Sequence, residues 1–567
     1  MPPFSTTQPV TVLDVSRLSY AERMCAAALQ GLVNRHSALI YLDYGIYDDP
    51  SARRTNEVFL SDEFWFGKYR SLLGNQDQRN MEYYSRKFNL PLTHDAALLD
   101  LVNQHRDLLQ GLVVWDEELP DTVNIAVMLA ARENLLPVTP GLAQTLSGTG
   151  LTIRHDLRGR WSDRIDLYRW AFETLFEGCE PGVLACIEPG WQRPEFLDYI
   201  VQHKVFVYSL SATTGGIPAS LLMLLAFGPP WLREFLFAAR LDHAVRRLAL
   251  AWMGWKSEEV ALSNRIQLAV KSLPLPTIFG WHTRRDDELS FMLQLSSNGL
   301  RLVPAHLAGN FSFHSALPAG TFTSKQKTAL PDLDPQGVYL TFTLSDGDQL
   351  MMMHTGELGN WYSPQRGQIP FNWETQPLLT EIAPALLEKF TAAATENDCL
   401  IAGPSGAGYV VPPLVPHLDE YLKDTSRVCA LAGIDVVTTY VADPPRRILH
   451  ALAQHNGNLT GFLAGYAVVT RAPAGQVNGV PVIANRIPVV SQIWYTADEL
   501  LKVVREEAAR PGSRPAFIGV HLFAYRITYE DVVKFVESLD NTHVHVVRGD
   551  VFLRLFQLSV ERKKNGK

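Results

Sequence analysis

Short apolar runs separated by helical stretches recur along this chain almost from end to end. That alternation restricts it to sheets of mainly parallel strands joined by crossover helices. Ser19-Tyr-Ala-Glu22 has the form of a capping box and predicts a helix to about Asn34, with Met24, Ala27, Ala28 and Leu32 at helical spacing. Ala38 to Leu42 reads as a buried strand. The pattern continues with strand Leu112–Trp115, helix Asp121–Asn134, strand Val183–Ile187, helix Arg193–His203 and strand Val205–Tyr208. At 567 residues the chain exceeds what one hydrophobic core organises, so two or three domains are expected. Residues 1–212 read as an N-terminal α/β domain and 213–273 as a helical connector rich in Leu, Phe, Ala and Arg. Leu273-Pro-Leu-Pro276 then punctuates the chain.

Over 274–567 the apolar runs return, many ending in polar or Gly-rich turns. They are Thr277–Gly280, Val338–Leu344, Ile369–Trp373, Leu400–Ala402, Asp435–Tyr440, Leu459–Leu463, Pro481–Ala484, Ala516–His521 and Val544–Val547. Helical stretches such as Leu378–Thr395 and Ala497–Ala509 lie between several of them. This suits a C-terminal (β/α) barrel-like domain, with a doubly wound open sheet as the competing arrangement. Both place a functional site at the C-terminal ends of the strands.

Composition narrows the function classes. With 47% hydrophobic and 19% charged residues the chain is an ordinary globular one. A net charge of -8 offers no basic footprint for nucleic acid. Twelve Trp residues point mildly toward sugar stacking, although large cores use aromatics too. Five cysteines without regular spacing predict reduced, mostly buried thiols. The opening MPPFSTTQPV lacks a basic stretch followed by an apolar one, so a cytoplasmic protein is expected. Ile217 to Phe227 is about half a membrane span and ends at Gly228-Pro-Pro230, so no membrane partner is expected.

The densest chemical signal is Tyr339-Leu-Thr-Phe-Thr-Leu-Ser-Asp-Gly-Asp348, a buried strand running into two acids. Residues i and i+2 of an extended chain share a face, so Asp346 and Asp348 can enter one pocket. Crowding raises the pKa of one carboxyl or invites a divalent cation, while Asp-Gly is also common turn chemistry. Gly403-Pro-Ser-Gly-Ala-Gly-Tyr-Val-Val-Pro412 follows another apolar run. Its glycines let backbone approach a ligand, and no Lys-Ser/Thr follows to make it a phosphate loop. Further candidates sit at strand ends. Trp281 precedes Asp286, Asp287 and Glu288, which fit a site or a helix N-terminus. Trp373 and Glu374 offer a sugar platform, or a core residue, with a carboxylate. His354 and His521 are isolated candidates, and Asp550 fits a helix start as well as a site.

Taken together, Gly406-Ala-Gly408-Tyr409-Val-Val-Pro412, Ser345-Asp-Gly-Asp348 and Arg366-Gly-Gln-Ile-Pro-Phe-Asn-Trp373 resemble the GxGYxYP family, grouped with glycoside hydrolases. Gly280-Trp281 with Asp287-Glu288, Asn310-Phe-Ser-Phe-His314 and Ala28-Leu-Gln-Gly-Leu-Val-Asn-Arg35 are similar to other parts of it, and the likeness is weakest over 210–270. Val411 replaces the second tyrosine of the eponymous motif and Gln349 stands where Asn is expected. The resemblance implies carbohydrate hydrolysis. Asp346 and Asp348 would be central, with Glu374 or Asp287 as the opposing acid. Trp281, Trp373 and Tyr409 would line the sugar site with Ser405, Gly406, Gly408 and His521. No cofactor is expected. The alternatives are a metal-dependent deacetylase-like hydrolase, using one Asp as base and the other with His314, His354 or His521 as ligands, and a carbohydrate-binding protein that has lost catalysis. Against the deacetylase, no HxxxH pair follows the Asp motif.

Overall fold

Three small parallel sheets precede a closed parallel barrel. The structure is a computed structural model describing residues 9–566 except 36, 46–73, 95, 190–195, 271–274, 283–286, 306–307, 321, 323–329, 346, 348, 355, 357–358, 469–474, 488–495, 511, 525–526 and 540–541. In the first sheet β1 (Val10–Asp14) lies between β2 (Ile40–Asp43) and β3 (Leu92–Thr93). In the second, β4 (Gly111–Val114) lies between β5 (Leu135–Val138) and β6 (Ile153–Asp156). The third contains β7 (Val183–Cys186), β8 (Phe206–Tyr208), β9 (Thr277–Gly280) and β10 (Arg301–Val303), in the order β10-β9-β7-β8.

The helix Tyr20–Val33 shows how local sequence and packing agree. Ser19 accepts from the Glu22 N–H at 3.3 Å while the Glu22 carboxylate accepts from the Ser19 N–H at 2.8 Å, so two orphan amides are satisfied reciprocally. Every residue from Met24 to Val33 is then buried, against β5 and the helix Leu197–His203. Ser19→Ala should cost about 1 kcal/mol, read as a lower denaturant midpoint with an unchanged slope.

The barrel comprises β11 (Val338–Ser345), β12 (Phe371–Thr375), β13 (Asp398–Ala402), β14 (Val436–Val441) and β15 (Gly461–Val468), then β17 (Val480–Ile487) and β18 (Ala516–Phe523), which pairs with β11 to close the ring. A short β16 (Gly475–Val477) forms an antiparallel hairpin with β17. The far edge of β11 is shared. Its last turn of register pairs with β12 through Thr343 and Leu344, and its first three residues pair with β19 (Val544–Val546). Leaving β19, the helix Gly549–Lys564 packs under the barrel. Its Val551, Phe552, Leu555 and Phe556 cluster with Ile401, Val436, Leu463 and Ile483 of the barrel strands. The base is therefore an apolar plug.

Two expectations change. Thr277–Gly280, read as the first strand of the C-terminal domain, pairs instead with β7 and β10 in the third sheet. Strand–helix alternation looks the same on both sides of Leu273-Pro-Leu-Pro276, so periodicity identifies a strand without naming its neighbour. The single helix expected over Leu378–Thr395 is two, Leu379–Ile382 and Pro384–Ala393. Pro384 disfavours the helical region for Ala383, which sits at φ -158. The five cysteines are free and four of them are buried, as expected.

Candidate active site

Because side chains alternate along a strand, the barrel interior can be read from the registers. Thr343 pairs with His521, Thr343 with Asn372, Glu374 with Ile401, and Thr438 with Leu463, so these residues share the inner face. Above the apolar plug the interior turns polar toward the C-terminal strand ends.

Glu374 sits at the centre of this polar layer and is 1% exposed. The Ser345 and Thr438 hydroxyls donate to its two carboxyl oxygens, and a ring nitrogen of His521 lies 3.7 Å away. Burial pushes the Glu374 carboxyl up to about 7, against the pull of the two hydroxyls. Burial pushes His521 down to about 3. Below about pH 7 the Glu374–His521 contact therefore joins a protonated acid to a neutral imidazole rather than two ions.

Gly403, just after β13, makes room for this acid. A Cβ there would lie 1.7 Å from Thr438 Oγ1 and 2.1 Å from Glu374 Oε1. Gly347 does the same for the tyrosines. It adopts φ +82, its N–H donates to Ser345 Oγ at 2.8 Å, and a Cβ would meet the Tyr466 hydroxyl at 2.9 Å and that of Tyr409 at 3.2 Å. Tyr409, Tyr440 and Tyr466 form an aromatic wall with ring centroids 5.3 to 6.0 Å apart, and Tyr466 meets His521 edge-on at 5.2 Å. Burial holds the Tyr440 hydroxyl far above its ordinary range, and Glu288 and Asp287 add to it.

The motif loop reaches this position because it is gripped from the N-terminal side. Tyr409 exchanges backbone hydrogen bonds with Leu302 of β10, at 2.6 and 3.0 Å. Arg301 is buried, pairs with Asp424 at 2.5 Å and donates to the Ala407 carbonyl. Gly408 has φ +91 and a Cβ there would press on the Arg301 side chain at 3.1 Å, while one on Gly406 would strike Thr425 at 2.3 Å. Ser405 Oγ accepts from the Tyr440 N–H and donates to the Val410 carbonyl, both at 3.0 Å. These three residues shape the loop around Tyr409.

The structure thus brings together Glu374, Tyr409 and His521 from among the expected site residues. Asp346 and Asp348, the expected central acids, lie outside the described residues, as does Asp286; their neighbours Ser345 and Gly347 border the polar layer. Trp373 faces away from Glu374, stacked on Tyr529 at 5.6 Å with its N–H donating to Asp398, so it packs the outside of the barrel rather than a sugar. Alternation forces this, since adjacent strand residues point to opposite faces. Asp287 caps the helix Glu288–Asn298 by accepting from the Ser290 N–H and hydroxyl. Trp281 is buried beyond β9, its backbone N–H donating to the Cys186 carbonyl. His354 lies 3.4 Å from Asp77 and beside His314, in a separate buried cluster against the first sheet. Asp550 pairs with Arg548 at the plugged base. The residues that sequence reasoning passed over are Ser345, Thr438, Tyr440 and Tyr466. Polar residues at alternate positions of an apolar strand, as in Val436-Val-Thr-Thr-Tyr-Val441, were their signal.

A parallel barrel closed at its base, with a buried acid and aromatic residues at the C-terminal ends of its strands, defines a class of enzyme-like α/β barrels. Within it, the "GxGYxYP putative glycoside hydrolase C-terminal domain" matches residues 336–557 and the second domain of the family's N-terminal part matches residues 109–179. Together they take in more than half of the chain, which belongs to the GxGYxYP family. The structure is also similar to a solved one from Bacteroides thetaiotaomicron VPI-5482, described as a putative hydrolase. The TM-score is 0.74 at 17% identity, over 97% of this chain and 95% of that one, which shows a shared fold. No curated protein matches the sequence.

Proposed function

We propose that this chain is a glycoside hydrolase in which Glu374 gives the proton to the departing sugar oxygen. The observation that carries the reading is a carboxyl held protonated to about pH 7 by burial at the C-terminal end of a parallel barrel. Glycosidic cleavage needs one such acid and one ionised carboxylate across the sugar. Asp346 and Asp348 are the candidates for the second role, because the strand that ends in Ser345 leads directly to them. Tyr409 and Tyr466 supply aromatic faces and hydroxyls suited to a sugar ring.

The test is hydrolysis of a panel of aryl glycosides, glycans and acetylated oligosaccharides between pH 5 and 9, with and without chelator. Sugar release that ignores chelator and falls as pH rises through about 7 would support the reading. Acetate release that collapses with chelator would replace it with metal-assisted deacetylation. Glycan binding without turnover would leave a binding protein.

A further inference from the structure

We propose that residues 216–256 form a docking surface for a bilayer bearing anionic lipid. This segment comprises three helices, Gly216–Phe227, Pro230–Ala238 and Asp242–Lys256, the first two meeting at a 91° bend. Among the described residues no single helix is long and apolar enough to cross a membrane, and the proposed contact is a helix face laid on the bilayer.

Eighteen of these residues face solvent, and their chemistry is unlike that of an ordinary water-facing surface. Only Arg240, Arg247 and Lys256 are charged, all of one sign, and Ser220 is the one other polar side chain. A soluble surface is about a quarter to a third charged, with both signs mixed. The remaining fourteen are apolar, Gly or Pro, and include Trp231 at 72% exposure and Trp255 at 83%. On Asp242–Lys256 the exposed Ala244, Leu248, Ala251 and Trp255 follow three- and four-residue spacing, so they form one stripe. The inner side is fastened to the body of the protein. Buried Arg246 donates to the Leu414 carbonyl, and buried Arg233 donates to that of Asp443. The apolar face is therefore held outward.

Charge decides between occupants. A two-fold contact with a second copy would bring together two faces whose exposed charges are all cations, whereas an anionic bilayer neutralises them and takes up the tryptophans at its interface. The location also fits a working surface, because Phe227 on the inner side packs 5.9 Å from Tyr440 beside the barrel mouth.

The experiment is sedimentation of the full chain with vesicles of phosphatidylcholine alone and of phosphatidylcholine mixed with phosphatidylglycerol, alongside its mass in solution. Wild type should pellet with the mixed vesicles, less so as salt rises. The variant W231S/F235S/W255S should remain in the supernatant with an unchanged melting temperature. The variant R240E/R247E/K256E should bind on the order of a hundredfold more weakly, since each surface cation contributes about a factor of five. Wild type staying in solution with the mixed vesicles would overturn the proposal. So would self-association abolished by the same serines without vesicle binding. Equal binding to neutral vesicles would overturn the role of the cations.

Discussion

Changing Glu374 to Gln is expected to lower kcat on any glycoside the protein hydrolyses by about a hundred- to ten-thousand-fold, the range a positioned general acid contributes. Gln has the same size and keeps an oxygen for a donating hydroxyl of Ser345 or Thr438, but it has no proton to transfer. KM should change far less than kcat, because the acid acts in the transition state. An unchanged kcat would remove Glu374 from the chemistry. The same substitution should also change how stability depends on pH. Glu374 titrates near 7 when folded and near 4.5 when unfolded, so between those values the folded chain keeps a proton that the unfolded chain releases. The wild type should therefore lose about 3 kcal/mol of stability as pH rises from 4.5 to about 7, and the Gln variant should not. His521 acts in the opposite sense. Its depressed folded pKa withdraws stability as pH falls below 6.5. It is present in both chains, so the difference between their urea midpoints at pH 5 and pH 8 isolates the acid. Equal pH dependence in the two would show that Glu374 is ionised when folded.

Gly403→Ala should be more damaging to the fold than any other glycine-to-alanine change in the barrel mouth. Gly403 is not in a left-handed conformation, so the obstacle is space rather than backbone strain. A methyl group would overlap both Thr438 Oγ1 and Glu374 Oε1, and neither can retreat, because both are fully buried and bonded to each other. The expected loss is at least about 3 kcal/mol, with turnover falling alongside as the carboxyl is displaced. Gly141 provides the control. It lies in the helix Pro140–Thr145 with nothing near its Cβ position, so Gly141→Ala should be neutral or slightly stabilising. Thermal unfolding of the two variants side by side checks both. A stable, active Gly403→Ala protein would mean that the acid sits elsewhere.

Much of the architecture was legible because strand and helix periodicities leave direct traces in sequence. Thr277–Gly280 and Ala497–Ala509 were read to the residue, and the run Val338–Leu344 lacked only Ser345. What periodicity cannot supply is partnership. β9 looks like any barrel strand, and only its hydrogen bonds to β7 and β10 assign it to another sheet. The site followed the same division. Glu374 and Trp373 were both singled out from one apolar run, yet a pleated strand can offer only one of two neighbours to the interior. Asn372 and Glu374, both polar and two apart, already indicated which. Thr438 and Tyr440 carried the same alternate spacing but no motif to draw the eye. The bareness of Gly406 and Gly408 beside Tyr409, legible as room for a close approach, admits Thr425 and Arg301 in the structure.

The helix Gly549–Lys564 beneath the strands has a consequence for traffic. With Phe552 and Phe556 filling the far end, the barrel is a cul-de-sac. Any ligand that reaches Glu374 must therefore enter and leave past the C-terminal ends of the strands, on one side of the ring.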